Sequence, residues 1–311
     1  MWPGFAESYQ GTAGCQQDIK IAKLLHSVNV GQTLLYGSQM WGYRNLKSIE
    51  PMKHPMQPTY SVIPRQAMRQ PAHTAHWIVS MHMGLMPIQY WIMRSFIRWW
   101  NKLLSVRENN AVLNNCIQAQ VELLASRKAC WLGKWDAAFK RVLPHYLIGD
   151  FLRNALPVDE AACMQAISTS YHNMLKNMGD PRDPSCSHRR IAVAYSMHMH
   201  DLGVLPTYHT WRIRDSIMAT WVQFVCTNTD LPVHTLQDCV DYSQRKCCKC
   251  TQAAVADEHH VLLECSSTQR TRDLHSVRVS FQVANLGEFL SKNTDDQIAN
   301  YVYAALAAYR S

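Results

Sequence analysis

Residues 247–265 read CCKCTQAAVADEHHVLLEC. Within them, Cys247 and Cys250 have the C-x2-C spacing by which one tight turn supplies two ligands to a metal ion. His260 and Cys265 complete the pattern C-x2-C-x9-H-x4-C. Three thiolates and one imidazole form a tetrahedral zinc site that leaves no position open for a substrate. The stretch therefore predicts a structural zinc centre, formed by Cys247, Cys250, His260 and Cys265, in a binding protein rather than a catalyst.

Two neighbouring residues are alternatives for places in this ligand set. Cys248 competes for the first position, although its C-x-C spacing to Cys250 suits one tetrahedral ion poorly. His259 directly precedes His260 and offers the same imidazole. The sequence leaves both alternatives open.

The composition of the chain is that of a folded protein. Of its 311 residues, 47% are hydrophobic and 17% are charged. No run of about 18 apolar residues occurs, and the first residues lack the basic start and apolar run of a signal peptide, so we expect no membrane span and no leader. The 11 cysteines are scattered and odd in number, which does not indicate a disulfide framework. We therefore expect a reducing compartment, the nucleus or the cytoplasm.

The formal net charge of +8 lies almost wholly in the first third of the chain. Residues 1–110 carry 11 Lys and Arg against 4 Asp and Glu, whereas residues 111–240 carry 12 against 11 and residues 241–311 carry 8 against 8. Such an excess favours contact with a polyanion. An ordinary basic surface without a partner explains it equally well.

Apolar residues recur at helical spacing along most of the chain. The spacing predicts helices over 17–36 (interrupted near Gly31), 87–104, 110–128, 133–143, 159–178, 211–227, 278–291 and 295–309, the last with Asn293–Thr294 as its cap. Five prolines within residues 51–75 predict a loop or extended linker there. No alternating strand pattern is present, so we expect a mainly α fold with a small CCHC zinc-binding module near the C-terminus. The segments expected are 1–110, basic and helical with the linker at 51–75; 111–240, a helical connector; 241–275, the zinc module; and 276–311, a helical tail.

The tryptophan-rich helix over 87–104 carries a stripe of positive charge. Arg94, Arg98 and Lys102 recur every four residues and share one face, which could follow a phosphate backbone. Trp91 or Trp99 could offer a face for base stacking. The alternative, a core helix with buried tryptophans and a solvated basic edge, is favoured for the tryptophans.

Four segments in the same order resemble the C-terminal region of non-LTR (LINE-like) retrotransposon reverse transcriptases. Arg245–Cys250 followed by Asp257–Cys265 looks like the cysteine–histidine motif of that family. Thr33–Gly42 resembles the segment after the polymerase palm, and Met83–Ile88 resembles the step after the thumb. Gly287–Ser291 and the following helix fit the tail.

The resemblance implies a nucleic-acid-binding module with zinc as its cofactor, in which residues 1–110 are a thumb-like remnant. RNA or DNA, single-stranded by preference, would be the partner. The basic residues that flank the motif could meet its phosphates: Arg245, Lys246, Lys249, Arg270 and Arg272. The polymerase aspartate pair is not found, because Asp295–Asp296 lies near the end of the chain without a strand pattern. We therefore expect no catalytic activity.

The chain also departs from the family pattern. Residues 43–80 are broken by prolines, and Gln39 and His82 stand where the family usually has Glu. Two other interpretations therefore stay open. One is a helical protein–protein interaction domain with structural zinc, whose protein partners are unknown. The other is a decayed retroelement relic without a selected function.

Overall fold

The regular structure of the chain is helical. A computed structural model describes residues 15–50, 54–71, 74–178, 195, 203–235 and 241–311. Within these ranges the helices are α1 (Cys15–Leu25), α2 (Gln32–Leu35), α3 (Ser38–Trp41), α4 (Gln57–Tyr60), α5 (Val62–Ala67), α6 (His76–His82), α7 (Ile88–Val106), α8 (Ala111–Ala125), α9 (Trp131–Val142), α10 (Ile148–Arg153), α11 (Glu160–Met178), α12 (Asp215–Val225), α13 (Pro232–Thr235), α14 (Gln269–His275), α15 (Leu286–Lys292) and α16 (Asp296–Arg310). Extended pairing in these ranges is limited to one antiparallel bridge between Lys246 and Val255. The predicted mainly α fold is confirmed.

Several helices lie close to their predicted bounds. α7, α8, α9, α11 and α16 each fall within a few residues of the sequence prediction. The expected interruption near Gly31 is a π-helical turn, His26–Gly31, that follows α1. Asn110 begins α8 by accepting a hydrogen bond from the Leu113 amide at 2.9 Å, which satisfies one of the free donors of the first turn.

The prediction of a loop over residues 51–75 is wrong for part of that range, because α4 and α5 lie within it. Pro58 is the second residue of α4 and Pro64 the third of α5. A proline in the first turn removes an amide that has no intrahelical acceptor, so both helices tolerate it.

The helix predicted over 278–291 begins later than expected. α15 begins at Leu286 because the Asn285 side chain accepts a hydrogen bond from the Glu288 amide at 2.9 Å. The cap of α16 also differs from the prediction. The Asp295 carboxylate, rather than the Asn293–Thr294 pair, accepts from an amide of the first turn, that of Gln297, at 3.0 Å.

The chain forms two compact units. The central unit comprises residues 25–62 and 86–175, and the C-terminal unit comprises residues 1–24, 63–85 and 176–311. These boundaries fall at other positions than the segments expected from the sequence.

The central unit is built around aromatic side chains of α7 and α9. Phe96 stacks on Trp135 with 4.2 Å between ring centroids, and Phe139 lies 5.7 Å from Phe96. The Trp135 indole donates a hydrogen bond to the Gln39 carbonyl at 3.0 Å. A side chain at Gly42 would overlap Ile92 and Trp135, so the segment after α3 packs directly on this core.

In the C-terminal unit, α16 is the central helix. It packs against α12 on one side and against residues 260–275 on another. Arg310, at its end, forms two hydrogen bonds of 2.7 Å with the Asp230 carboxylate. Of the helices in the described ranges, none is long and apolar enough to cross a membrane.

Candidate metal centre

A short hairpin presents the first two cysteines. The Cys247 amide donates to the Ala254 carbonyl at 2.8 Å, and the Ala256 amide donates to the Arg245 carbonyl at 2.8 Å. These bonds close the loop that carries Cys247 and Cys250. The backbone of the hairpin therefore sets the separation of the two thiols.

A π-helical turn over His260–Glu264 presents the other two ligands. The His260 amide is capped by the Asp257 carboxylate at 2.8 Å, and the Cys265 amide donates to the His260 carbonyl at 2.7 Å. This i to i+5 bond brings His260 and Cys265 to the same side of the turn.

The four predicted ligands come together in the structure. One ligand atom from each of Cys247, Cys250, His260 and Cys265 lies within 4.8 Å of every other. The Sγ atoms of Cys247 and Cys265 are 3.7 Å apart, and Cys250 Sγ is 3.3 Å from His260 Nε2. With Zn–S bonds of about 2.3 Å, two thiolates of a tetrahedral site lie about 3.8 Å apart. The cluster thus has the dimensions of a four-ligand metal site.

The surroundings of the cluster are those of a closed site. Cys247, His260 and Cys265 are buried, and Cys250 is half-buried. Burial raises the pKa of the Cys247 thiol, but hydrogen bonds from the Lys249 amide, Tyr309 and His260 outweigh it and bring the pKa to about 6.

The pKa of Cys250 moves in the opposite direction. Burial is the largest effect and raises this pKa. The negative charges of Cys247 and Cys265 raise it further, whereas the hydrogen bond from the Gln252 amide lowers it. Adjacent thiols resist simultaneous ionisation, since each thiolate repels the next. A divalent cation relieves that repulsion, so this donor set fits a metal such as zinc.

The two alternative ligands lie outside the cluster. Cys248 is exposed. The Nδ1 atom of His259 is 3.5 Å from one oxygen of Glu264, and the Nδ1 atom of His260 is 3.5 Å from the other. Glu264 thus lies near the Nδ1 edge of His260 without a hydrogen bond to that atom. A carboxylate close to the non-ligating nitrogen is a common neighbour of metal-binding histidines.

Sequence reasoning missed two side chains that complete the site from α16. The Tyr301 hydroxyl donates to the Leu262 carbonyl within the π turn. The Tyr309 hydroxyl lies beside Cys247. Burial is the main cause that raises the pKa of Tyr309 well above its ordinary value, and the Cys247 thiol raises it further. Both tyrosines lie more than 30 residues after the ligands they support. No local pattern in the sequence links them to the site.

Two of the arginines predicted to contact nucleic acid are instead buried within the C-terminal unit. Arg245 is buried and donates to the Val233 carbonyl at 2.9 Å. Arg272 is buried and donates to the Cys265 carbonyl and to the Thr268 hydroxyl, each at 2.7 Å. These guanidinium groups satisfy buried acceptors, which corrects their assignment as phosphate contacts. The other three candidates, Lys246, Lys249 and Arg270, are exposed.

The basic stripe on α7 is partly neutralised. Arg94 and Arg98 both donate to one oxygen of Glu160, at 2.7 and 2.8 Å. Lys102 is exposed. The stripe therefore offers less free positive charge than the sequence indicates.

The tryptophans of this helix have protein partners. Trp91 is half-buried, and the Arg94 guanidinium lies 5.6 Å from its ring centroid. Trp99 is half-buried and meets Trp131 edge to face at 5.0 Å.

Comparison with known proteins gives no relative from which to transfer a function. Neither a protein-family model, nor a curated protein, nor a solved structure matches this chain.

Proposed function

We propose that Cys247, Cys250, His260 and Cys265 bind one zinc ion as a structural site. This proposal rests on one observation, that three sulfur atoms and one imidazole nitrogen lie within 4.8 Å of one another. Zinc suits this ligand set better than calcium or magnesium, which take oxygen ligands. All four positions of a tetrahedron are then filled by protein atoms, so the ion's role is to fix the hairpin and the π turn relative to each other.

The zinc assignment is tested by counting the metal in matched variants. We expect about one zinc per chain for the purified protein and for Cys248→Ser, which removes an exposed thiol outside the cluster. The Cys250→Ser variant should lose most of its zinc, because a serine hydroxyl is a poor zinc ligand. Equal zinc contents of Cys248→Ser and Cys250→Ser would contradict the assignment.

We further propose that the chain is a non-catalytic nucleic-acid-binding fragment derived from a non-LTR retrotransposon reverse transcriptase. The ordered resemblance of four segments to that family supports this proposal. Lys246 and Lys249 support it as well, because both are exposed on the hairpin that the metal organises. Single-stranded RNA or DNA in the nucleus or the cytoplasm would be the partner.

Fluorescence anisotropy with a labelled single-stranded RNA tests this proposal. Lys246→Ala/Lys249→Ala should weaken binding and reduce the slope of log affinity against log salt by roughly 1.4, about 0.7 for each lysine that meets a phosphate. Arg212→Ala/Arg214→Ala is the matched control, since both arginines are exposed in the same unit outside the module. Chelation of zinc should likewise weaken RNA binding and reduce the slope of log affinity against log salt. An absence of binding at low salt would overturn the proposal while leaving the zinc site intact.

A protein-binding role is favoured by one observation beside the module. Leu274 and Val277, three positions apart in the chain, are 75% and 93% exposed, and exposed apolar side chains that lie close together can mark a protein interface. If they mark a protein interface, Leu274→Ser/Val277→Ser should abolish partner binding, and that binding should depend little on salt. RNA affinity should then be unaffected by the same variant.

A further inference from the structure

A group of positive charges that pairs with no carboxylate of the described ranges lies in the central unit, away from the residues predicted to bind nucleic acid. Tyr43 and Arg44 follow α3, and Lys134 lies in the first turn of α9, about 90 residues later. The Lys134 ammonium is 5.5 Å from the Tyr43 ring centroid, and the Arg44 guanidinium carbon is 5.9 Å from it. Two cations therefore converge on a single phenol.

The phenol is held in place by the core beneath it. The Tyr43 ring meets Trp135 edge to face at 6.0 Å, and Trp135 is fully buried. Arg44 and Lys134 are exposed, and Tyr43 is half-buried. The group thus packs on a buried ring on one side and is open to solvent on the other.

Among the described residues, no carboxylate forms an ion pair with Arg44 or Lys134. The pKa of Tyr43 is lowered, first by its hydrogen bond from Arg44 and then by the charge of Lys134, although burial opposes both. The Arg44 bond joins Nε to the phenol oxygen at 3.4 Å. A lowered phenol pKa means that negative charge is stabilised at this point.

The position of Lys134 adds to the positive potential. The first turn of a helix carries a partial positive charge, where a lysine is electrostatically unfavourable. The stripe on α7 is different, because Glu160 pairs with Arg94 and Arg98. Cations that meet no carboxylate in the described part of the chain, beside an aromatic ring packed on the core, are suited to a ligand with negative oxygens.

We propose that Tyr43, Arg44 and Lys134 bind a phosphate group. The guanidinium and ammonium groups donate charge-assisted hydrogen bonds to its oxygens, and the Tyr43 hydroxyl is a third donor. The phosphate belongs either to the backbone of a nucleic-acid strand or to a free phosphate. The first source rests on the proposed nucleic-acid function and adds a binding point in the central unit; the second does not depend on it.

The test uses the full-length, zinc-loaded protein with 13C-labelled tyrosine, in which Tyr43→Phe identifies the Tyr43 signal. Inorganic phosphate should shift that signal in the unsubstituted protein and not in Arg44→Gln/Lys134→Gln. Arg127→Gln/Lys128→Gln, which removes two exposed cations of the same unit, should respond like the unsubstituted protein. A Tyr43 signal that phosphate leaves unmoved overturns the inference.

A labelled oligouridylate then separates the two sources. If the ligand is a strand, Arg44→Gln/Lys134→Gln should bind it about tenfold more weakly, with a salt slope lower by roughly 0.7, as for one phosphate. If phosphate shifts Tyr43 but oligouridylate affinity is unchanged, the site takes a free phosphate and the function proposed for the zinc module is unaffected. Unsubstituted protein that binds no oligouridylate overturns the nucleic-acid function, while the phosphate titration still decides this site.

Discussion

The core of the central unit and the module at residues 245–265 are ordered by different means. In the central unit, large aromatic rings of α7 and α9 pack together, with Phe96 and Trp135 4.2 Å apart at their centroids. In the module, a hairpin and a π turn contribute one buried face, with Val261 and Leu262 inaccessible to solvent, and one cluster of metal ligands. The comparison indicates that, with a metal bound as proposed, ligand geometry adds to a small apolar face in ordering this short segment. The first two of the following experiments change one region and measure both, and the later ones measure smaller contributions to stability.

The largest effect is expected from loss of the metal. His260→Ala should abolish zinc binding and remove the hydrogen-exchange protection of residues 245–265, because metal binding supplies on the order of 10 kcal/mol of folding free energy in small zinc modules. Peptides from α7 and α9 should keep their protection. His259→Ala is the control and should retain both zinc and protection, since this ring pairs with Glu264 outside the cluster. Retained protection in zinc-free His260→Ala would show that the apolar face alone orders the module.

The converse change is Trp135→Ala in the central unit. It deletes a fully buried indole and its hydrogen bond to Gln39, so the free energy of unfolding should fall by about 3–5 kcal/mol. Urea unfolding followed by far-UV circular dichroism measures this loss. Trp99→Ala, at a half-buried ring, should cost less. Zinc content should stay at one per chain, and a parallel loss of zinc would mean that the two regions are not ordered separately.

Acid should weaken the central unit through His54. This ring is buried, its Nδ1 accepts a hydrogen bond from the Met56 amide at 3.2 Å, and burial lowers its pKa from 6.5 to about 4. The folded state therefore resists protonation. The stability that follows from this is complete above about pH 6.5 and is lost as the pH falls towards 4, with about 2 kcal/mol gone at pH 5.

Urea midpoints at pH 7 and pH 5 measure this loss. His54→Asn keeps an acceptor near Nδ1 but does not titrate, so its midpoint should fall less between the two pH values than that of the unsubstituted protein. Equal falls would exclude His54 as the source of acid sensitivity.

The smallest effects are expected at the helix caps, one in each unit. Asn110→Ala removes the cap of α8, and Asn285→Ala removes the cap of α15. Each should lower the free energy of unfolding by about 1 kcal/mol. Asn110→Ser and Asn285→Ser should restore most of the loss, since serine also caps. If the alanine variant at either position leaves the free energy of unfolding unchanged, the side-chain hydrogen bond contributes little to the stability of that helix.

Local patterns in the sequence predict much of the fold and the four metal ligands. The period of apolar residues predicts α7 and α16, and the spacing from Cys247 to Cys265 predicts the cluster. These features depend on residues that are close in the chain. Prolines misled the prediction over residues 51–75, since a proline breaks a helix interior but not its first turn.

Features that depend on distant partners could not be predicted. Glu160 neutralises Arg94 and Arg98 from more than 60 residues away, and the buried acceptor of Arg245 lies in α13. The exposed pair of Arg44 and Lys134 is brought together only by folding. A positively charged residue in the sequence therefore does not reveal whether it meets a carboxylate, a carbonyl or solvent.

The hydrogen bond from Trp135 to Gln39 also has a kinetic consequence. It joins residues 96 positions apart, so the central unit must close a long loop before this bond forms. The metal ligands are at most 18 positions apart and close short loops. Contacts at long sequence separation slow folding, so we expect the module to form rapidly once zinc is present and the central unit to limit the folding rate of the chain.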